Sequence, residues 1–482
     1  MASIRKSLSI HLLSNTGSIA IQFLVSLLLA RLLTPSEIGI FSITVVFVNI
    51  AHIFREFGVS TYLQREPELS PEKVQAATTV VLCSSWTIAL MLYLCSSVIG
   101  NWFKEPQITN VLKILAAGFV FIPFGSVTEA LLTRELAADK QAIVNAVGIF
   151  AFSSSALIFA SIGFGAESLA WANFLNILAT GLAYAPFRPK RFPVSIKLRF
   201  DRSVLRFGAG SLIYHCVCSV NDALSDLMLG RLANSTDVGL MSRANSTVSI
   251  FSYVAGSTAN YGALSYLSQA NHRGESIIPV LRKATAMLTG LGWPALAVTA
   301  IFGKDLVNTL YGTSWLSCIP AITPLSIAAA ISMVFHYSSI GITAVGHPYL
   351  QVLPITALVI LRIAFGYWLF DQTLGSFAWS ICYATIFSLP LFFLLQRRVL
   401  HYRFRDLYLS SYKSFVVAGP CLAITYSLDQ IIPESVPSLA RLTIVIPTVT
   451  VIWCISVFLI KHPLAVEIQN AIRRINAFKL QS

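Results

Sequence analysis

Ala30-Arg31-Leu32-Leu33-Thr34-Pro35-Ser36-Glu37-Ile38-Gly39-Ile40-Phe41-Ser42 joins two long apolar runs, and the pattern returns 200 residues later as Gly230-Arg231-Leu232-Ala233-Asn234-Ser235-Thr236-Asp237-Val238-Gly239-Leu240-Met241-Ser242. The alignment needs no gap: Arg, Leu, Gly and Ser are identical and acid faces acid. Each copy reads as the end of one helix and the start of the next. Thr34-Pro35-Ser36-Glu37 is a capping box with proline at the first helical position. Asn234 with Asp237 is a similar start, and Arg31 and Arg231 sit where the preceding helices present their free carbonyls. Glu37 and Asp237 therefore read as helix caps.

Outward from these joints the chain is almost wholly apolar. Of 482 residues 55% are hydrophobic and 11% charged, and the mean hydropathy is +0.72. A soluble domain carries about 25% charged residues, so this chain cannot cover a water-facing surface and its solvent is lipid. Fourteen apolar runs stand between charge and turn clusters, at 8–33, 38–54, 76–99, 108–132, 142–162, 169–187, 204–232, 238–267, 281–302, 316–340, 349–370, 377–395, 412–428 and 439–460. None alternates as a strand does, so each predicts a helix. The first run exceeds a signal-peptide core and lacks a small-x-small cleavage site, which predicts an uncleaved first helix. The eight cysteines lie scattered in or beside these runs, with no CxxC, and read as small hydrophobes. The expected fold is thus an all-α integral membrane protein of about 14 transmembrane helices.

The net charge of +13 is a topology signal rather than a sign of nucleic-acid binding. With the N-terminus inside, about 26 of the 34 Lys and Arg fall on inner segments. They include the cluster Arg188, Lys190, Arg191, Lys197, Arg199, Arg202, Arg206 and the pair Arg397, Arg398. Both termini are predicted cytoplasmic. The 200-residue offset spans six helices, an even number, so the halves share one orientation and a pseudo-twofold axis along the membrane normal. Helices 1–6 (residues 1–195) form an N-terminal lobe and helices 7–12 (196–400) a C-terminal lobe. Helices 13–14 and a cytoplasmic tail fill 401–482. Two such lobes are the architecture of an alternating-access transporter, with cargo held at their interface. No extramembrane segment is long enough for a catalytic or nucleotide-binding domain, and no Walker A, HExxH, GxSxG or DxD motif occurs, so neither enzyme chemistry nor a cofactor is expected.

Charges inside apolar runs are costly unless paired or wet, and so mark function or buried pairing. Asp222 and Asp226 share one helix face at i, i+4, and Arg243 lies just past the following turn at a depth similar to Asp226. Two readings stand: a structural Asp226–Arg243 ion pair, or an Arg243 that binds an anion in a water-filled cavity with an Asp as counter-charge or ion-coupling site. His52 and Arg55, at i, i+3 near the inner end of helix 2, either snorkel to headgroups or line a cationic cavity mouth. Arg362 in helix 11 is either cavity-facing or paired. Pro123, Pro294, Pro320 and Pro324 fall inside runs and predict kinks or breaks.

The residues also resemble a family. The stretch 29–41 followed by Phe54-Arg55-Glu56-Phe57-Gly58-Val59-Ser60 is similar to the opening signature of the Wzx-type polysaccharide and oligosaccharide flippases, within the multidrug/oligosaccharidyl-lipid/polysaccharide exporter superfamily. Asp226-Leu227-Met228-Leu229-Gly230-Arg231, Gly239 and Ser242-Arg243-Ala244 resemble its helix 7–8 block. Pro294, Tyr311-Gly312-Thr313-Ser314-Trp315 and Thr343-Ala344-Val345-Gly346-His347-Pro348 resemble later ones. Met241 departs from the pattern, which usually has an aromatic there. The colanic-acid-like exopolysaccharide exporters are the most similar members. The resemblance implies a polyprenyl-diphosphate-linked oligosaccharide as cargo, moved from inner to outer leaflet and driven by a coupling ion (H+ or Na+) or the membrane potential. Membrane lipids and a polymerase with export machinery are the implied partners. An internal Arg suits the diphosphate. The alternatives are a multidrug or cation antiporter of the same superfamily, for which a net acidic cavity is expected, and a membrane polysaccharide polymerase or glycosyltransferase, for which a sizeable acidic outer loop is expected.

Overall fold

The computed structural model describes residues 2–56, 59–65, 69–135, 137–189, 192, 202–250, 267, 270 and 273–479, with side chains from Gly17 in the first helix and from Cys216 in the eighth. Phe57 and Gly58 of the opening signature lie outside the described residues. So do Lys190, Arg191, Lys197 and Arg199 of the basic cluster, the side chains of Arg202 and Arg206, and residues 251–266 of the eighth run.

Every regular element among the described residues is helical. In chain order they are α1 (Ala2–Leu32), α2 (Pro35–Glu56), a short α3 (Val59–Arg65), α4 (Pro71–Phe103), α5 (Pro106–Arg134), α6 (Ala138–Ser161), α7 (Ala166–Tyr184) and α8 (Arg202–Leu232). After α9 (235–250) come α10 (Ile278–Ile301), α11 (Gly303–Leu310), α12 (Ile319–Met333), α13 (His336–Ala344), α14 (Val352–Leu369), α15 (Leu374–Leu400), α16 (Phe404–Ile431), α17 (Ser438–Leu459) and α18 (Pro463–Lys479). Among the described residues ten helical segments are long and apolar enough to cross a bilayer, and Gly17–Leu32 is a shorter apolar helix. The chain is an all-α, multi-pass membrane protein, as a lipid solvent requires of backbone that must satisfy its own hydrogen bonds.

Local chemistry sets the helix ends. Ser70 accepts from Lys73 N at 3.3 Å, Pro71 follows at the first position, and Lys104 closes α4 in the left-handed region at φ 58°. Thr373 caps α15 by accepting from Ser376 N at 3.2 Å. Asp371 steadies that turn, accepting from the backbone N–H and the hydroxyl of Thr373. Ser376 foremost, and then the two Thr373 donors, hold its carboxyl below the usual aspartate range.

Pro123, Pro294 and Pro324 lie inside helices as expected. Pro320 instead occupies the first turn of α12. The 3-10 stretch Thr313–Cys318 precedes it, so its missing N–H falls where a helix has no partner for it. The run 316–340 is likewise not one helix: it stops at Val334 and Phe335 and restarts as α13.

Contacts divide the described residues into two units, Met1–Ser242 and Arg243–Ser482. In the first, Val59, Leu63, Val74, Val80, Val127 and Leu131 form a core that α3, α4 and α5 share. In the second, a charged knot ties α11 to α16 and α17: Arg441 is 4% exposed, donates to Asp305 at 2.8 Å and Asp429 at 2.9 Å, and lies over the Phe302 ring. At the other end of α17, buried His462 accepts from Leu464 N on Nδ1 at 3.2 Å and meets Ser414 of α16 through Nε2 at 3.2 Å.

Candidate functional site

The repeated joint is a glycine crossing in the first unit. Thr34 N donates to Glu37 Oε2 at 2.8 Å and Glu37 N donates back to Thr34 Oγ1. Asp237 N donates to Asn234 Oδ1 at 2.9 Å. Glu37 therefore serves its cap through its carboxylate, whereas at the second copy the capping side chain is Asn234, which accepts from the backbone N–H of Asp237. Between the caps the two helix starts meet so closely that a Cβ on Gly39 would lie 1.7 Å from Ser235 O, and one on Gly239 would lie 1.8 Å from Pro35 O. Exchanging the copies turns one contact into the other, because Pro35 and Ser235 are themselves equivalent positions. Ser36 and Ser235 share a hydroxyl contact at 3.0 Å, and Ser235 donates to Glu105 Oε1 at 2.8 Å. The sequence shows the glycines but not that they face each other.

Also in the first unit, the His52 ring packs 4.7 Å from Phe119 of α5. The backbone oxygen of Arg55 accepts from Ser84 of α4 at 3.0 Å. The C-terminal end of α2 is thereby buttressed by α4 and α5. On α8 Asp222 is exposed and Asp226 half-buried, with Asn221 donating to Asp222 Oδ1 at 3.2 Å.

Arg243 begins the second unit. Its guanidinium lies 5.5 Å from the centre of the Tyr311 ring and 5.4 Å from that of Trp315. Tyr311 is 2% and Trp315 0% exposed. Two cation–π contacts in a desolvated setting are worth about 0.5–2 kcal/mol each and fix where the charge sits. Contacts of this kind engage the faces of the guanidinium, whereas its N–H donors lie in its plane, so aromatic clamping and anion recognition use different parts of the group. The sequence flagged Arg243 and the block Tyr311–Trp315 separately. Their meeting was hidden because the segment between α11 and α12 is not periodic. Asp226 and Arg243 belong to different units. Arg362 is half-buried on α14, one turn before the Phe365 ring, which packs against Trp368, Tyr383 and Phe387. Among the described residues no three His, Cys, Asp or Glu side chains group closely enough to hold a metal ion.

Outside the spanning helices, Lys304 and Glu434 meet at 2.7 Å beside the Arg441 knot. The carboxylate raises the lysine above its ordinary value, and the ammonium holds the glutamate below its own.

An all-helical multi-pass chain with an internal repeat defines a polytopic membrane protein. The chain belongs to the family described as polysaccharide biosynthesis protein, whose model matches residues 28–320. It is 21% identical over 462 residues to the lipopolysaccharide biosynthesis protein WzxC of Escherichia coli K12, covering 94% of this chain and 93% of the relative. It is 23% identical over 335 residues to the succinoglycan biosynthesis transport protein ExoT of Rhizobium meliloti, with 68% and 67% covered. Its fold is that of the lipid II flippase MurJ in an inward closed conformation, with a TM-score of 0.71 at 11% identity over 93% of this chain and 98% of that one. An inward-facing multidrug resistance transporter of the MATE family and MOP superfamily gives 0.64 at 17% identity over 83% and 98%.

Proposed function

We propose that the chain is a flippase that turns a polyprenyl-diphosphate-linked oligosaccharide from the inner to the outer leaflet of the plasma membrane by alternating access. The observation that carries this reading is similarity along nearly the whole chain to the lipopolysaccharide biosynthesis protein WzxC, within a family described as polysaccharide biosynthesis protein. A headgroup bearing a diphosphate and many hydroxyls does not cross hydrocarbon unaided, and that cargo gives a reason for a half-buried cation such as Arg243. In this reading Arg243 takes the diphosphate, with Arg55, His52 and Arg362 as further cationic cavity groups. Asp226 and Asp222 supply counter-charge or the site of a coupling H+ or Na+. Fourteen helices form lobes at 1–195 and 196–400 with a C-terminal pair at 401–482, and both termini are cytoplasmic. Polymerase and export proteins receive the product.

The test is deletion of the gene followed by analysis of lipid-linked glycans in each leaflet. Accumulation of one undecaprenyl-diphosphate oligosaccharide on the inner leaflet is expected. Normal glycan distribution together with new sensitivity to cationic drugs would replace this reading with the antiporter that the MATE-like fold also supports.

A further inference from the structure

The block Thr343-Ala344-Val345-Gly346-His347-Pro348 has no part in the reading above, yet it builds one wall of a groove in the second unit. α13 ends there in a Schellman turn: His347 N donates to Ile342 O at 3.1 Å and Gly346 N to Thr343 O at 3.0 Å, with Gly346 at φ 92°. Pro348 then opens the 3-10 stretch Pro348–Gln351 that leads into α14. Gln351 is 4% exposed and ties that start to α13, its amide donating to Ser339 O at 3.2 Å and Thr343 Oγ1 at 3.1 Å. Only four residues part α14 from α15, so the two run antiparallel and the last turns of α15 return beside His347. Between them lies an open groove of about 740 Å³, within the roughly 300–1,000 Å³ of ligand sites. His347, Tyr349 and Arg398 line one end, all three exposed, and Leu350, Leu353 and Leu395 carry it toward the middle of the span. The floor is firm, because Val345, Leu395 and Val399 pack on a core that includes Ile342, Ala344 and Leu400.

The bilayer sets the depth of this groove. Among the described residues α14 belongs to the least buried of the ten spanning segments, so much of its surface meets lipid. Tyr349 and Trp368 are 55% and 78% exposed at its two ends, and at 1.5 Å per residue they stand about 29 Å apart, the thickness of a hydrocarbon core. Aromatic side chains so placed mark the two headgroup levels. The His347 end of the groove is therefore at headgroup depth, and its leucines are at acyl-chain depth.

Charge selects among lipids. No Asp or Glu lines the groove. Arg397, Arg398, Arg403 and Arg405 crowd the end of α15 and the start of α16. The one acid among residues 397–406, Asp406, is already engaged, accepting from Arg403 N at 2.9 Å and facing Arg282 at 3.7 Å. A basic groove between helices at headgroup depth attracts anionic lipid, and a guanidinium meets a phosphate with a fork of N–H donors. A soluble anion would leave the leucine arm unfilled, and a zwitterionic lipid would bring its own ammonium to the arginines. We propose that this groove binds one anionic phospholipid, its phosphate on Arg398 with His347 beside it and an acyl chain along Leu350, Leu353 and Leu395. The lipid splints α14, which has little protein around it. Nothing in the assignment depends on the cargo, so it stands or falls apart from the flippase reading.

Native mass spectrometry of the full-length protein, stripped of lipid in detergent and titrated with dioleoyl phosphatidylglycerol or dioleoyl phosphatidylcholine, tests the groove without assuming transport. One phosphatidylglycerol should be retained in clear preference to phosphatidylcholine. Arg398→Gln should weaken that binding roughly fivefold, the effect of one basic residue beside an anionic headgroup. Arg405→Gln removes the same charge on α16 outside the groove, and should change it less than about twofold because salt screens a charge that does not touch the lipid. Leu353→Trp keeps every charge and fills the apolar arm, so it should also weaken retention, and it serves alone if Arg398→Gln does not fold. Equal retention of the two lipids, binding unchanged in the folded variant, or an equal loss in Arg405→Gln would overturn the proposal, the last in favour of a diffuse basic surface. Equal competition by glycerophosphoglycerol, the same headgroup without acyl chains, would overturn it in favour of a simple anion site.

Discussion

Gly39 and Arg243 show how single residues divide between building the molecule and serving its cargo. An alanine at 39 would place its Cβ on a backbone carbonyl, which cannot rotate away as a side chain could. Gly39→Ala should therefore cost about 1–3 kcal/mol or more and lower both membrane yield and melting temperature. Gly181→Ala is the matched control, since a Cβ there meets nothing and a helical alanine gains roughly 0.5–1 kcal/mol over glycine. Arg243 tests the opposite case. Arg243→Gln should leave folded protein in the membrane and abolish glycan export, and Arg243→Lys should restore only part, because it keeps the charge and loses the planar fork. Tyr311→Phe keeps the ring face and should export nearly normally. Normal export by a folded Arg243→Gln protein would remove this arginine from the mechanism. If Asp226→Asn rescued it, a buried pair would be the better account.

At the scale of elements, the ends of α11, α16 and α17 depend on one buried arginine. Asp305→Asn removes a partner that is 5% exposed in its side chain, and breaking such a pair costs about 3–5 kcal/mol. Lys304→Ala touches an exposed pair worth about 0–1 kcal/mol. A differential scan should show a clear fall in Tm for the first and almost none for the second. The junction of α17 with α18 carries a pH dependence. Burial, with Lys413 nearby, lowers His462 from its ordinary 6.5 to about 4, so the unfolded chain binds the extra proton first. Stability from this site is whole above about pH 6.5 and is lost progressively as pH falls toward 4. His462→Gln should flatten that slope.

Neither knot was legible in the sequence. Arg441 stands as a lone charge near a helix start, and Asp305 and Asp429 lie far from it and from each other in sequence, on α11 and α16. The helices were legible because lipid demands an apolar run of fixed length, and the caps because they are local in sequence. The groove at Arg398 depends on which faces of α14 and α15 meet, which no spacing encodes. Arg243 was visible for a different reason: an ion in an apolar run is costly enough to stand out alone.

For the molecule as a whole, the proposed orientation rests on where the basic residues lie. About 26 of 34 lie on segments that face the same side when the spans are counted from the N-terminus, and short basic loops are retained in the cytoplasm. On that charge rule every loop is assigned a side together, so a few probes test the whole topology. Ser235 is the obvious outer probe in the repeat, but it is 3% exposed and its hydroxyl is engaged. Gln107 and Glu434 are exposed and take its place, with Arg273 and Gln469 as inner probes. A membrane-impermeant maleimide applied to whole spheroplasts should label cysteine at 107 and 434, and reach 273 and 469 only after lysis. The eight native cysteines set the background. Cys95 is exposed on the candidate span α4, and a thiol facing lipid there should stay unlabelled in both conditions because the thiolate is the reacting form. Labelling of 273 and 469 from outside, with 107 and 434 protected, would invert the protein. An inverted chain would place the cluster from Arg188 to Arg206 outside, against the retention of short basic loops in the cytoplasm, so this one measurement decides the charge argument.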